Sequence, residues 1–350
     1  MAQINKPTDY FNTVLYTGNA TARSITGVGF QPDWVWIKGR TTAYNNTLFD
    51  SVRGATKRIY SNGTDAESTQ TATLTSFDSD GFSLGNNASV NSATSTFASW
   101  NWLADNTSGS SNTDGSITST VSANTTSGFS IVSYTGTGAV GTIGHGLGAE
   151  PKMIIIKSRS NPPADHWWVY HNSLGNNQSI YLNLTSASGS TSDWSNTSPT
   201  SSVFTINGAQ TGIGYNGGTF IAYCFAEKKG FSKFGSYTGN GSTDGTFIYT
   251  GFKPAFVITK CTSTSSTYTN WGMFDSKRPG YNQIDKVLGA DLSDSENGST
   301  IGTQYMDFLS NGFKCRNNGS PHNISGQSYI YMAFAESPLV GTNNIPATAR

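Results

Sequence analysis

Apolar positions along this chain gather into short runs, and one arrangement of them occurs three times. Trp34-Val35-Trp36-Ile37 lies between a turn ending at Pro32 and Lys38. It returns as Met153-Ile154-Ile155-Ile156 between Pro151 and Lys157, and as Phe256-Val257-Ile258 between Pro254 and Lys260. Both alternating faces of each run are apolar, the pattern of a strand covered on two sides. Each run therefore predicts a central strand whose outer face meets the next repeat or another subunit. The Pro-to-Pro intervals are 151 − 32 = 119 and 254 − 151 = 103 residues, the period of a small domain and not of a solenoid.

Further landmarks keep the same order. Phe11 to Gly18, Phe129 to Gly136 and Phe231 to Gly239 all end in Tyr-Thr-Gly, a strand entering a turn. Phe49-Asp50-Ser51 answers Phe274-Asp275-Ser276, while repeat two has His171 at that place. Asp80-Gly81 and Asn311-Gly312 supply positive-φ turn chemistry in repeats one and three. The closing strands are Phe97 to Trp102, Phe220 to Glu227 and Tyr329 to Glu336. Period-two alternation assigns Trp100 with Trp102, and Tyr223 with Phe225, to one face. The expected repeat core is Trp34, Trp36, Trp100, Trp102, Ile154, Ile155, Tyr223, Phe225, Phe256, Ile258, Tyr331 and Phe334.

The pattern predicts an all-β chain of three tandem β-sandwich domains, jelly-roll or concanavalin-like. Residues 1–105 form repeat one with an N-terminal arm, and 106–128 form a Ser/Thr/Gly/Asn-rich linker with an edge strand. Repeat two spans 129–230, repeat three 231–339, and 340–350 is a tail. The linker composition leaves repeat one free to swing, while Lys228-Lys229-Gly230 couples the other two rigidly. Arm residues 1–10 are the expected tether to another chain by strand addition.

Composition sharpens this picture. Charged residues make up only 12 %, against 12 % aromatics and 39 glycines, which favours short strands and many turns. A formal net charge of zero argues against nucleic-acid binding and against a polybasic membrane patch. No apolar run is long enough to insert in a membrane, and the first residues lack a signal-peptide core. Cytoplasmic synthesis is expected. Cys224, Cys261 and Cys315 are odd in number and far apart, so buried free thiols are the expected state.

Tyr-Thr-Gly, Gly-Phe-x-Pro-x-x-Val-x-Ile-Lys, Phe-Asp-Ser-x-Arg-Gly and Phe-Ala-Glu together resemble tandem-repeat virion proteins of tailed phages infecting marine bacteria and cyanobacteria. Those proteins are described as fibre-like or lectin-like, and the resemblance covers residues 10–340. It implies a phage structural protein displayed on the virion surface as a fibre, knob or capsid decoration. Its implied partners are other virion proteins, further copies of itself in a homo-oligomer (a trimer first), and a host cell-surface glycan. Receptor recognition through carbohydrate binding is the alternative, with polysaccharide depolymerisation behind it.

Candidate chemistry is sparse. Lys38, Lys157 and Lys260 read as strand-end lysines with packed stems and solvated ammonium groups, or as partners of Asp50 or Asp275. Trp167 and Trp168, within Asp165 to His171, combine flat aromatic faces with polar neighbours suited to a sugar, although alternation equally buries one of them. Trp194 and Tyr215 stand in wholly polar surroundings and are the better exposed-aromatic candidates for glycan or subunit contact. Asp78, Asp80, Asp291, Asp294 and Glu296 lack a full calcium-loop signature and read as turn residues, so no metal or cofactor is expected. No nucleophile elbow or zinc-binding helix accompanies His145 or His322, and Glu227 and Glu336 recur with the repeat. Scaffolding is favoured over catalysis, and no catalytic residue is assigned.

Overall fold

The computed structural model describes residues 3–160, 165–209, 212–319, 321–341 and 346–349. The chain is all-β, built from several sheets; among the described residues the named strands pair antiparallel, and one isolated bridge, Ile117 to Ile143, is parallel. One strand order recurs. In repeat one the large sheet runs Phe11–Thr17, Thr96–Trp102, Trp34–Gly39, Thr47–Asp50, Lys57–Tyr60, Ser68–Thr69. Repeat two places Phe129–Thr135, Thr219–Phe225, Met153–Ser158 and Trp167–His171 in the same succession, and repeat three uses Ser232–Thr238, Ser328–Pro338, Phe252–Cys261 and Gly272–Asp275. Register is equally constant: Trp36 pairs with Trp100, Ile155 with Tyr223 and Ile258 with Met332.

Each large sheet is covered on one face by a smaller one. Arg23–Thr26, Gly81–Leu84 and Leu74–Asp78 form the first, Val140–Gly144 with Val203–Asn207 the second, and Phe247–Tyr249, Gly312–Cys315 and Met306–Leu309 the third. Separate outer cores result, such as Val35, Ile37 and Phe82 in repeat one, or Ile154, Ile156 and Phe204 in repeat two. The strand crossing is tight at Gly81, whose φ is 144° and where a Cβ would sit 2.0 Å from the Ile25 carbonyl oxygen. At Gly312 a Cβ would meet the Ile248 carbonyl oxygen at the same distance. Close approach excludes any larger residue at both turns.

The opposite faces of all three large sheets meet in one shared core. Trp34, Trp36, Trp100 and Trp102 pack there with Ile155, Tyr223 and Phe225 from repeat two, and with Phe256, Ile258, Met332 and Phe334 from repeat three. Ring centroids are 4.4 Å apart for Trp34 and Tyr223, and 6.0 Å for Trp102 and Phe256 and for Phe225 and Phe334. Complete burial of such side chains is worth about 1.5–3 kcal/mol each. This explains why the organising strands are apolar on both faces.

The shared core corrects the expected mobility of repeat one and the expected outward tether of the arm, while every expected core residue is buried, either in the shared core or in an outer one. Repeat one does not swing, because its inner face is sealed by both neighbours. Tyr331 lies in the outer core of repeat three, and its neighbour Met332 takes the central position matching Trp100 and Tyr223. Ile154 likewise faces outward, with Met153 and Ile155 inward. Within the 106–128 connector, Ser110–Asn112 and Ser119–Asn124 join the large sheet of repeat two as strands. The N-terminal arm folds onto its own chain: Ile4 is buried in the shared core, and its N–H donates to the Lys229 carbonyl at 3.0 Å. Residues 1 and 2 of the arm lie outside the described residues. In the tail, Val340 bridges Pro346, whereas 342–345 and 350 also lie outside them.

Candidate functional site

Three seams join the repeats head to tail, one to three, two to one and three to two, closing a ring. Equivalent residues build each seam. Asn46 Nδ2 donates to the Gly289 carbonyl at 3.0 Å, Trp167 Nε1 to Tyr60 at 2.9 Å and Trp271 Nε1 to Tyr181 at 2.8 Å. These donors occupy one register position opposite the repeated lysine, and their acceptors also correspond.

The repeated lysines lie inside this arrangement. Lys38, Lys157 and Lys260 are 0, 1 and 0 % exposed, which corrects the reading of solvated strand-end ammonium groups. Lys38 Nζ donates to the carbonyls of Tyr44 and, across the seam, Ser293 at 2.7 Å. Lys157 Nζ donates to Asp165 and, across its seam, Thr64, both at 3.0 Å. Lys260 Nζ donates to Thr269, whose hydroxyl crosses to the Thr185 carbonyl. Loop carbonyls hold all three, in place of the expected Asp50 or Asp275. Burial pushes Lys38 down to about 7 against the Asp294 charge, and Lys157 down to about 8 against Asp165 and Asp65. Burial also lowers Lys260 and raises its neighbour Asp291.

The Asp positions carry the second layer of two of the seams. Asp50 Oδ2 accepts from Arg53 Nε at 2.5 Å and from Tyr223 Oη of repeat two at 2.7 Å. Asp275 Oδ2 accepts from Arg278 Nε at 2.6 Å and from Trp100 Nε1 of repeat one at 3.1 Å. Behind them, Glu67 joins Arg53 to Arg159, and Glu296 joins Arg278 to Arg40. Burial opposes the Glu67 charge, yet Arg159 and Arg53 together hold its carboxyl below the usual range.

The third seam departs from this scheme. Met332 stands where Trp100 and Tyr223 offer a donor, so an acceptor opposite it has nothing to receive. His171 replaces the Asp there, its Nδ1 accepting from the Ser173 N–H and its Nε2 facing the Tyr331 carbonyl, both at 3.2 Å. Burial pushes this imidazole down to about 4, and the two bonds assign its single proton to Nε2. The Arg and Glu positions become Leu174, Ser188 and Thr262. Even so, Ser188 N–H donates to the Thr262 carbonyl at 3.0 Å, as Glu67 does to Arg159 at 3.1 Å and Glu296 to Arg40 at 2.8 Å.

The aromatic candidates are not presented for stacking. Trp167 is fully buried in the shared core. Trp168 is 6 % exposed, closed over by Gly212, where a Cβ would fall 2.2 Å from its ring. Trp194 is 1 % exposed: its ring meets Tyr170 edge-on in the outer core, and Nε1 donates to the Gln178 carbonyl at 3.1 Å. Tyr215 is half-buried, its hydroxyl held by Ser158 Oγ at 2.8 Å and Ser160 Oγ at 2.9 Å. Exposed aromatics lie instead in repeat three, where Phe247 and Tyr249 share the outward face of one strand and Tyr281 is 79 % exposed. The alternation in Phe247-Ile248-Tyr249 was the available signal.

Other polar candidates serve the fold. His145 lies between Thr200 and Leu147, and His322 meets Thr259 Oγ1. Asp78 accepts from Ser76 and Ser83, and Asp80 from the Gly27 and Gly29 N–H groups. Glu227 pairs with Lys233 and Glu336 with Lys253.

No curated protein matches the chain. A family model described as domain of unknown function (DUF7483) matches residues 6–338, a span that starts in the arm and takes in all three repeats. With that match running through nearly its whole length, the chain belongs to the DUF7483 family.

Proposed function

We propose that this chain is a structural protein displayed on a phage virion, a closed unit of three β-sandwich domains of jelly-roll or concanavalin type, and not an enzyme. One observation carries the reading. The recurring polar groups, namely the lysines of all three repeats and the Asp–Arg pairs and bridging glutamates of repeats one and three, are buried or half-buried and spent on joining one repeat to the next. Chemistry invested in seams supports a passive, rigid component, since a reacting group must reach substrate. The repeat motifs add the virion context. Other virion proteins and further copies of the chain, a trimer first, are the partners this reading implies.

Mass spectrometry and immunogold labelling of purified particles from a producing host test the proposal. The expected result is the chain at fixed stoichiometry with surface label. Particles that lack it would overturn the reading.

A further inference from the structure

We propose that the seam between repeats two and three is a binding cleft for a neutral saccharide. The inference stands on the geometry of this seam and does not depend on the virion reading. In the other two seams the volume behind the Asp is filled by charged side chains: Arg53, Glu67 and Arg159 are 0, 13 and 21 % exposed there, and Arg278, Glu296 and Arg40 are 0, 13 and 19 %. At the third seam Leu174, Ser188 and Thr262 replace each set, and a cleft of about 550 Å³ opens, lined by these same three residues.

The cleft is not a seam coming apart. The Ser188 to Thr262 backbone bond matches its two counterparts, Ser188 Oγ also donates to the Thr262 carbonyl at 3.1 Å, and Trp271 still crosses to Tyr181. Only the filling side chains are gone. Arg159 donates to Ser133 Oγ at 3.0 Å in repeat two, whereas the register-matched Ser236 lines the cleft with no guanidinium to meet it.

The lining selects the ligand class. It holds no charged side chain, so neither an anion nor a cation would find a counter-charge after losing its water. The hydroxyls of Ser173, Ser236, Thr238 and Ser328 line it and make no hydrogen bond within the protein among the described residues, while half-buried Leu174 adds apolar surface. The Tyr237 and Tyr329 rings are buried and stacked on each other at 4.9 Å, so no aromatic face is offered to a nucleobase. Paired donor–acceptor hydroxyls beside a small apolar patch match a sugar ring, with its own hydroxyls and its C–H face. The volume lies within the range of small-molecule sites.

The full chain is titrated with glucose, galactose, mannose, N-acetylglucosamine, maltose and lactose by saturation-transfer NMR, with galacturonic acid as the charged control. At least one neutral sugar is expected to bind with a millimolar Kd. The triple variant Leu174→Arg/Ser188→Glu/Thr262→Arg, which refills the cleft as in the other seams, is expected to weaken binding at least about ten-fold. Should that variant fail to fold, Ser236→Ala/Ser328→Ala on the exposed rim is expected to weaken it several-fold. Absence of any neutral-sugar binding at about 20 mM, unchanged affinity in a folded variant, or tighter binding of galacturonic acid than galactose would overturn the proposal.

Discussion

Trp100 Nε1 donates to Asp275 Oδ2 across 175 residues of chain, at 3.1 Å and with both groups out of water. Tyr223 makes the counterpart bond to Asp50. A buried carboxylate with a guanidinium partner loses heavily when one member is removed, because the survivor is left uncompensated. Asp275→Ala is therefore expected to cost about 3–5 kcal/mol, stranding Arg278 as well as Trp100. The reverse change is equally telling. His171→Asp places a carboxylate beside Met332 and the Tyr331 carbonyl, and is expected to destabilise by about 3 kcal/mol or more. Urea midpoints at constant slope check both. A neutral effect of His171→Asp would mean that the identity of the residue across the seam does not decide which side chain is tolerated there.

Lysines 38 and 157 set a pH dependence of stability. Their folded values near 7 and 8 lie below the ordinary 10.5. Between those limits the unfolded chain holds more protons, so stability rises with pH there, by about 1.4 kcal/mol per unit for each deprotonated lysine. Cys315 works oppositely: burial pushes its thiol up to about 12 from 9.0, so it costs stability above pH 9, and Tyr16, Tyr134, Tyr223 and Tyr237, raised by burial, add to that loss above pH 10. The melting temperature is expected to climb from pH 7, most steeply up to about 9, and to fall only above about pH 10. In the Lys38→Met variant the climb from pH 7 should be shallower. A flat profile from 7 to 9 would show that the two ammonium groups are not desolvated.

The chain's own alternation made much of this legible. Strand identity, the threefold period and the shared face of Trp100 and Trp102 follow from local sequence, because one face of every strand had to be buried. What hides from local reading is the neighbour. Lys38 is buried because the Ser293 carbonyl, 255 residues away, receives it, and nothing around position 38 announces that acceptor. Trp194 sits among polar residues along the chain, yet its ring drops beneath them into the outer core of repeat two. His171 looks like a defect in the repeat until Met332 stands opposite it. The cleft at the third seam is readable only after Leu174, Ser188 and Thr262 are set beside their counterparts.

The three cysteines give a simple probe of the outer cores. Cys224, Cys261 and Cys315 are all buried and unpaired, and burial raises the Cys224 and Cys315 thiols. A thiol reacts as its thiolate, so a disulfide reagent at pH 8 is expected to modify none of them in the native chain and three after denaturation. Prompt labelling of a native thiol would show that one of the outer cores opens readily.

The shared core predicts that the repeats unfold together. Were they independent, each would melt with the enthalpy of roughly 100 residues, about 70 kcal/mol near 60 °C at about 0.7 kcal/mol per residue. One cooperative unit of this length has about 245 kcal/mol instead. Trp34, Tyr223, Phe225, Phe256 and Phe334 pack against one another across the repeats, so losing one repeat bares the inner faces of the other two. The arm adds to this coupling, since Ile4 binds the connector between repeats two and three. Calorimetry is expected to give one transition whose van 't Hoff and calorimetric enthalpies agree, and a fragment of residues 129–339 is expected to lose the cooperative transition of the whole chain. Two or three resolved transitions, or a fragment that melts sharply at the temperature of the intact protein, would show that the aromatic interior contributes little to holding the repeats together.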